Sequence, residues 1–233
     1  LNISTANHSM SFWLKTTDGG ICVVSQKAQD ELVAWIQSSK IKWAAENPFS
    51  STSNINDGTW KHICFVADGS SSYIYINGVL DATGGSQIRS SSSSSAFAIG
   101  SRPGSFPYEG LISNWSLFSS ALTAAQVTTL YNEGKPFDLS TFAVTPVSWW
   151  RLGASGSSFD GTNWTVLDEI GTNNGTSANM TQADLVDGVG ATGSGTSSGM
   201  SSGTNKIGDA PYSSNNSVSY NMSVTAESTS VPT

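Results

Sequence analysis

The sequence predicts an all-β sandwich closed by one short helix. Three observations predict it. Short runs alternate apolar with polar residues, clusters of Gly, Ser, Asn and Asp punctuate them, and a single stretch has helical spacing. At 233 residues the chain is long enough for one large core or two small ones.

The elements follow in order. "SMSFWLKTTD" (9–18) alternates Met10, Phe12 and Leu14 against Trp13, so it reads as a strand covered on both faces. "ICVVSQ", "LVAWIQ" and "KIKWAAE" are the next strands. Asn-Pro and Asp-Gly mark "NPFSSTSNINDG" (47–58) as a loop. "TWKHICFVAD" is a strand, and "YIYINGVLDAT" a hairpin about Asn77-Gly78, a pair suited to the positive φ of a type I′ turn. The serine run Ser90 to Ser95 reads as an exposed loop, followed by strands at "AFAIGS" and "EGLISNWSLFS".

The helix lies in "LTAAQVTTLYNEG". Thr123 and Gln126 form a capping box, Val127, Leu130 and Tyr131 share a face, and Gly134 marks the stop. Beyond it, "WWRLG" and "WTVLDEI" read as strands, and 185–215 is dominated by Gly, Ser and Thr. "SVSYNMSVTA" (217–226) alternates Val218, Tyr220, Met222 and Val224 with small polar residues. It predicts a half-buried strand that needs a sheet to join.

Charge narrows the function. Only 12% of residues are charged, against roughly 25% in ordinary soluble proteins. Ser, Thr and Asn supply the polar surface instead, a habit that suits a virion or, alternatively, an extracellular setting. A net charge of −7 with scattered basic residues argues against a nucleic-acid partner. No apolar run approaches the roughly 20 residues of a membrane span. Cys22 and Cys64 sit in apolar runs and read as buried free thiols, with a disulfide between adjacent strands as the alternative. His8 and His62 lack metal-ligand spacing, so no zinc site is expected.

Five segments carry a resemblance: "SFWLKTT", "GTWKHICFVADGSSSYIYINGVL", "FAIGS", "YEGLISNWSLFSSAL" and "AAQVTTLYNEG". Within them Trp60, His62, Asp68-Gly69 and Tyr75-x-Asn77-Gly78 are spaced as in the laminin-G-like, concanavalin A-like jelly-roll domains, which the chain resembles over most of 9–134. "VSWWRLGASGSSFDGTNWTVLDEIGTNNGT" (147–176) resembles the first strands of the same family, through Trp149-Trp150-x-Leu152, Asp168, Gly171, Asn174 and Gly175. A beginning thus follows an ending. The expected division is a jelly roll over 1–145, with N-terminal strands missing or supplied in trans, and an extension over 146–233 that resembles the start of a second repeat and ends in a Gly/Ser/Thr-rich arm.

The family includes glycoside hydrolases, whose carboxylates come from an E-x-D-x-x-E strand. That pattern is absent, and the pairs Asp30-Glu31 and Asp168-Glu169 read as solvated loop acids, so no enzyme is predicted. The resemblance also implies a structural calcium ion. Ser113-Asn114 stands where the family usually has Asp-Glu, which leaves Asp68 and Asp81 as weak calcium candidates and no cofactor as the main expectation. For glycan binding the candidates are Arg102 and Phe106 in "SRPGSFPYEG", and Trp149, one of two adjacent tryptophans pointing to opposite sides of their strand.

The expected function is a non-enzymatic structural protein of a phage, a head-decoration or fibre/tail module. Its partners would be other copies of itself and a capsid or tail protein, through strand and tail contacts. The alternative is a secreted or surface lectin-like module that binds cell-surface glycans.

Overall fold

The computed structural model describes residues 6–20, 22–27, 31–44, 47–87, 97–100, 108–152, 157–178, 180–181, 184 and 221–224, with backbone alone for 22–27, 31–33, 44, 178 and 221–224. The strands in chain order are β1 (Asn7–Lys15), β2 (Cys22–Lys27), β3 (Glu31–Gln37), β4 (Lys40–Ala44), β5 (Phe49–Ser50), β6 (Lys61–Asp68), β7 (Ser71–Ile76) and β8 (Val79–Gly85). After them come β9 (Phe97–Ile99), β10 (Leu111–Phe118), β11 (Ser148–Trp150), β12 (Ser157–Phe159), β13 (Trp164–Val166), β14 (Gly175–Ala178) and β15 (Asn221–Val224). One α-helix, α1 (Ala124–Tyr131), lies between β10 and β11.

They form two sheets. One has six strands in the order β11-β10-β1-β6-β7-β8, the other nine in the order β12-β13-β14-β15-β9-β2-β3-β4-β5. Alternation along each strand sorts the side chains. Met10, Phe12, Leu14, Ile63, Phe65 and Ile74 of the first sheet join Ala34, Ile36, Ile41, Trp43, Phe97 and Ile99 of the second in one core. The opposite face of the six-stranded sheet is also covered. Cys64, Val66 and Phe118 pack there against Val127 and Leu130 of α1 and against Leu139 and Phe142 after it. The double cover expected for β1 is therefore present, with Trp13 buried on this second side.

Local signals explain the joints. Thr123 Oγ1 accepts from Gln126 N at 3.2 Å while Gln126 Oε1 accepts from Thr123 N at 2.8 Å, so the capping box forms as expected. The helix ends earlier than the sequence implied. Asn132 takes the left-handed conformation (φ 45°) that closes α1, and Gly134 follows two residues later. In the β7–β8 hairpin Asn77 and Gly78 have φ of 52° and 77°. A Cβ on Gly78 would lie 3.1 Å from the Tyr131 Cβ, so the turn needs glycine both for its backbone and for its contact with the helix. Asn114 (φ 48°) makes a bulge in β10, where the register with β1 shifts.

The later residues enter the same two sheets. β11 pairs with the outer edge of β10, which brings Trp150 into the main core against Trp115 (5.5 Å between centroids) and Phe97 (6.2 Å). Trp164, Val166 and Met180 are buried in that core too. β12, β13 and β14 form an antiparallel meander, and β15, within the strand expected at 217–226, lies between β14 and β9. The serine run Ser90 to Ser95 and the stretch 185–215 lie outside the described residues.

Cys64 is a free thiol buried on the outer face of the six-stranded sheet, whereas Cys22 pairs by backbone with Ile36 in the other sheet. The alternative of a disulfide between adjacent strands is thus corrected, because the two cysteines belong to different sheets. Burial pushes the Cys64 thiol well above its ordinary range.

Candidate functional site

The open face of the nine-stranded sheet is the candidate site. In β3, Ala34 and Ile36 are fully buried, so Trp35 between them faces away from the core and stays partly exposed. In β4, Ile41 and Trp43 are buried and Lys42 faces out. The register sets Trp35 directly opposite Lys42, whose Nζ lies 5.3 Å from the indole centroid. Among the described residues no carboxylate pairs with Lys42, and the Trp35 Nε1–H has no partner. Lys40 is engaged, donating to Asn54 Oδ1 at 3.1 Å.

Further along, the register aligns Ser158, Thr165, Thr176, Ser223 and Ala98 across β12, β13, β14, β15 and β9. Ser158, Thr165 and Thr176 are exposed, so this part of the face is polar and low. Ile99 pairs with Ser25, and Val23 pairs with Trp35. The chain therefore leaves β9 at the end of the sheet where Trp35 stands. Arg102 and Phe106 belong to the loop that starts there and lie outside the described residues. Its two ends are tied by Tyr108 N donating to Gly100 O at 2.7 Å.

Trp35 was not singled out from the sequence, because "LVAWIQ" is apolar on both faces. The signal lay in "SSKIKW". A two-residue turn at Ser38-Ser39 (φ 53° and 64°) pairs Ile36 with Ile41 and Trp35 with Lys42, which marks the outer row.

Trp149 requires a correction. Both adjacent tryptophans are buried, Trp150 in the main core and Trp149, 2% exposed, in the second cluster. Although β11 is an edge strand, it is covered. Glu169 N donates to Trp149 O at 2.8 Å, and the Arg151 guanidinium lies 4.5 Å from the Trp149 ring, near Glu169 (3.8 Å) and Asp138 (4.0 Å). Asp168 anchors this cover. Its carboxylate accepts from Trp149 N (2.9 Å), Gly171 N (3.0 Å) and Asn173 N (3.2 Å), and its own N–H donates to Asn174 Oδ1 (3.0 Å).

The calcium candidates are turn anchors. Asp68 accepts from Ser71 N (2.7 Å), Ser70 N (3.0 Å) and Tyr73 Oη (3.0 Å), and these donors, the Ser71 and Ser70 N–H first, hold its carboxyl at about 2. Asp81 accepts from Thr52 N (2.5 Å) and Ser53 N (3.1 Å), tying the 47–58 loop to β8. Asn114 Nδ2 donates to the Ser113 hydroxyl at 2.7 Å. Among the described residues no three acidic, histidine or cysteine side chains gather.

A second concavity lies under the helix, lined by Ser11, Trp13, His62, Asn114, Ser116 and Trp149, with room for about one water molecule. Ser11 Oγ lies 2.8 Å from His62 Nε2, and desolvation holds the imidazole at about 3. Tyr131 and Trp13 pack on that ring. This space is too small for a sugar.

The family model described as the concanavalin A-like lectin/glucanases superfamily matches residues 1–128. Comparison with curated proteins gave no match. Among solved structures, a candidate carbohydrate-binding protein from Bacteroides ovatus is 16% identical with a TM-score of 0.60, covering 73% of this chain and 51% of that one. The chain thus spans about half the length of that protein. Domain 4 of an extracellular arabinanase from Geobacillus stearothermophilus, solved with arabinotriose, is 23% identical with a TM-score of 0.46, covering 55% and 68% of the two chains. At these identities the structural likeness speaks for the fold alone. With the family match covering more than half of its 233 residues and two β-sheets packed face to face, the chain belongs to the concanavalin A-like lectin/glucanase superfamily.

Proposed function

We propose that this chain is a non-enzymatic carbohydrate-binding module of an extracellular surface, and that its glycan lies on the open face of the nine-stranded sheet. The observation that carries the reading is Trp35, a partly exposed indole beside a cation that pairs with no carboxylate among the described residues, on a face that also presents Ser158, Thr165 and Thr176. A sugar ring offers an apolar C–H face to stack on such an indole and hydroxyls to bond to Lys42 and the neighbouring Ser and Thr side chains. Arg102 and Phe106, in the segment that follows β9 and outside the described residues, remain further candidates for the contact. Family membership supports the class of ligand. The absence of an E-x-D-x-x-E strand supports binding without cleavage.

The test is a screen of the full chain on a polysaccharide and glycan array, repeated with Trp35→Ala and Phe106→Ala. The expected result is a wild-type ligand bound about tenfold more weakly, roughly 1.4 kcal/mol, by Trp35→Ala. No wild-type ligand, or equal binding by Trp35→Ala, removes the reading.

A second reading, a structural module of a phage virion, would require the pairing that β15 makes here within one chain to be made between copies. Crosslinking to a capsid or tail protein in isolated particles would support it.

A further inference from the structure

We infer that the gap between β14 and β9 is an exchange site, open to β15 of a second copy of this chain. The inference is independent of the glycan reading.

The nine-stranded sheet consists of two pieces, the β12–β13–β14 meander and the β9–β2–β3–β4–β5 group. Among the described strands, β15 alone joins them. Four residues carry both ladders: Asn221 to Val224 pair with Ala178 to Gly175 on one side, and Met222 to Val224 with Ile99 to Phe97 on the other. Both pairings are antiparallel, so β14 and β9 run parallel to one another. With β15 absent, each would present an unpaired backbone edge inside the sheet. The floor of the gap is the main core, where Phe97 lies 4.7 Å from Trp115. The site therefore demands a strand.

The length of the connection does not by itself confine that strand to its own chain. Residues 185–220, 36 positions, separate Asp184 from Asn221. Fully extended, such a length reaches on the order of 120 Å, several times the width of a sandwich. β11 differs, since only five residues (143–147) separate it from Phe142 in the second cluster, which holds it to its own sheet. A flexible tether of this length would give β15 an effective concentration in its own gap of roughly millimolar order. Isolated chains close on themselves, and copies held at comparable local density exchange β15 and become linked.

The experiment uses the register Ala98 opposite Ser223. Full-length chains with Cys22 and Cys64 replaced by alanine carry Ala98→Cys and Ser223→Cys, either together or on separate, differently tagged copies. Refolded and oxidised together, the separate copies should form an inter-chain disulfide that rises about tenfold or more between about 10 μM and about 1 mM protein. The doubly substituted chain should close internally when dilute. Internal closure with no inter-chain product at millimolar concentration overturns the inference. Failure of both pairs also overturns it, because β15 would then not occupy the gap. Glycan binding enters none of these readouts.

Discussion

The two sheets are built on different terms. Five of the six strands of the first sheet lie between residues 7 and 118, and β6, β7 and β8 follow one another through tight turns. Protein covers both faces of its central strands, and the buried hydroxyls of β1 and β10 are answered, while the Ser72 hydroxyl of β7 is buried without a partner among the described residues. Ser9 Oγ donates to Ser120 O and accepts from Leu122 N, while Ser116 Oγ donates to Ser11 O. The second sheet is gathered from separate stretches of chain, and among its described outward residues Trp35 and Lys42 are partly exposed and Ser158, Thr165 and Thr176 exposed. Strands covered on both sides have most side chains fixed by packing, so their chemistry is committed to stability. A sheet with a free face can present an indole and a row of hydroxyls with little consequence for the core.

The contrast can be broken most forcefully at its centre. Trp150, fully buried, belongs to the six-stranded sheet by its backbone and touches Phe97 of the other sheet by its ring. Trp150→Ala should cost about 3–5 kcal/mol in urea unfolding, whereas removal of the outward Trp35 should change stability far less. A smaller loss, roughly 2–3 kcal/mol, is expected for Asp168→Ala, which strands the main-chain donors of Trp149, Gly171 and Asn173.

The gentlest probe is acid. The imidazole of His62, sealed on the covered side, is held at about 3 in the fold against 6.5 when free. Above 6.5 both states are neutral. As pH falls from there towards 3, the unfolded chain takes up a proton that the fold refuses, and stability drops by up to roughly 1.4 kcal/mol per pH unit. Asp57 and Asp68, lowered from 3.8 to about 2, contribute stability that is lost only as pH falls from about 3.8 through 2. Between pH 6.5 and 4.5, urea midpoints should therefore fall in the wild type and flatten in His62→Gln. An equal slope in both would assign the acid loss elsewhere.

What the sequence revealed follows the range of the forces involved. The capping box at Thr123 and the Asn77-Gly78 hairpin were legible because each depends on neighbours a few residues away, and the two-sided burial of β1 because apolar residues occupy both of its faces. The end of α1 was placed late because glycine is the commoner left-handed residue, yet Asn132 arrives first and tolerates that conformation. For Trp149, edge position suggests exposure, while the cover over β11 depends on Asp168 and Arg151 packing back onto it. The site face was hidden for a related reason. Which side of "LVAWIQ" meets solvent depends on its pairing with β4 and on a second sheet behind it. The place of β15 was beyond local reading, since its partner β9 lies more than a hundred residues earlier.

Cys64 has a consequence for where such a chain can work. Its sulfur is sealed beneath the helix, apart from the sheet that carries Cys22, so no covalent staple contributes to cohesion. Moving between oxidising and reducing surroundings breaks no disulfide between these two cysteines, and shape is kept by packing and hydrogen bonds.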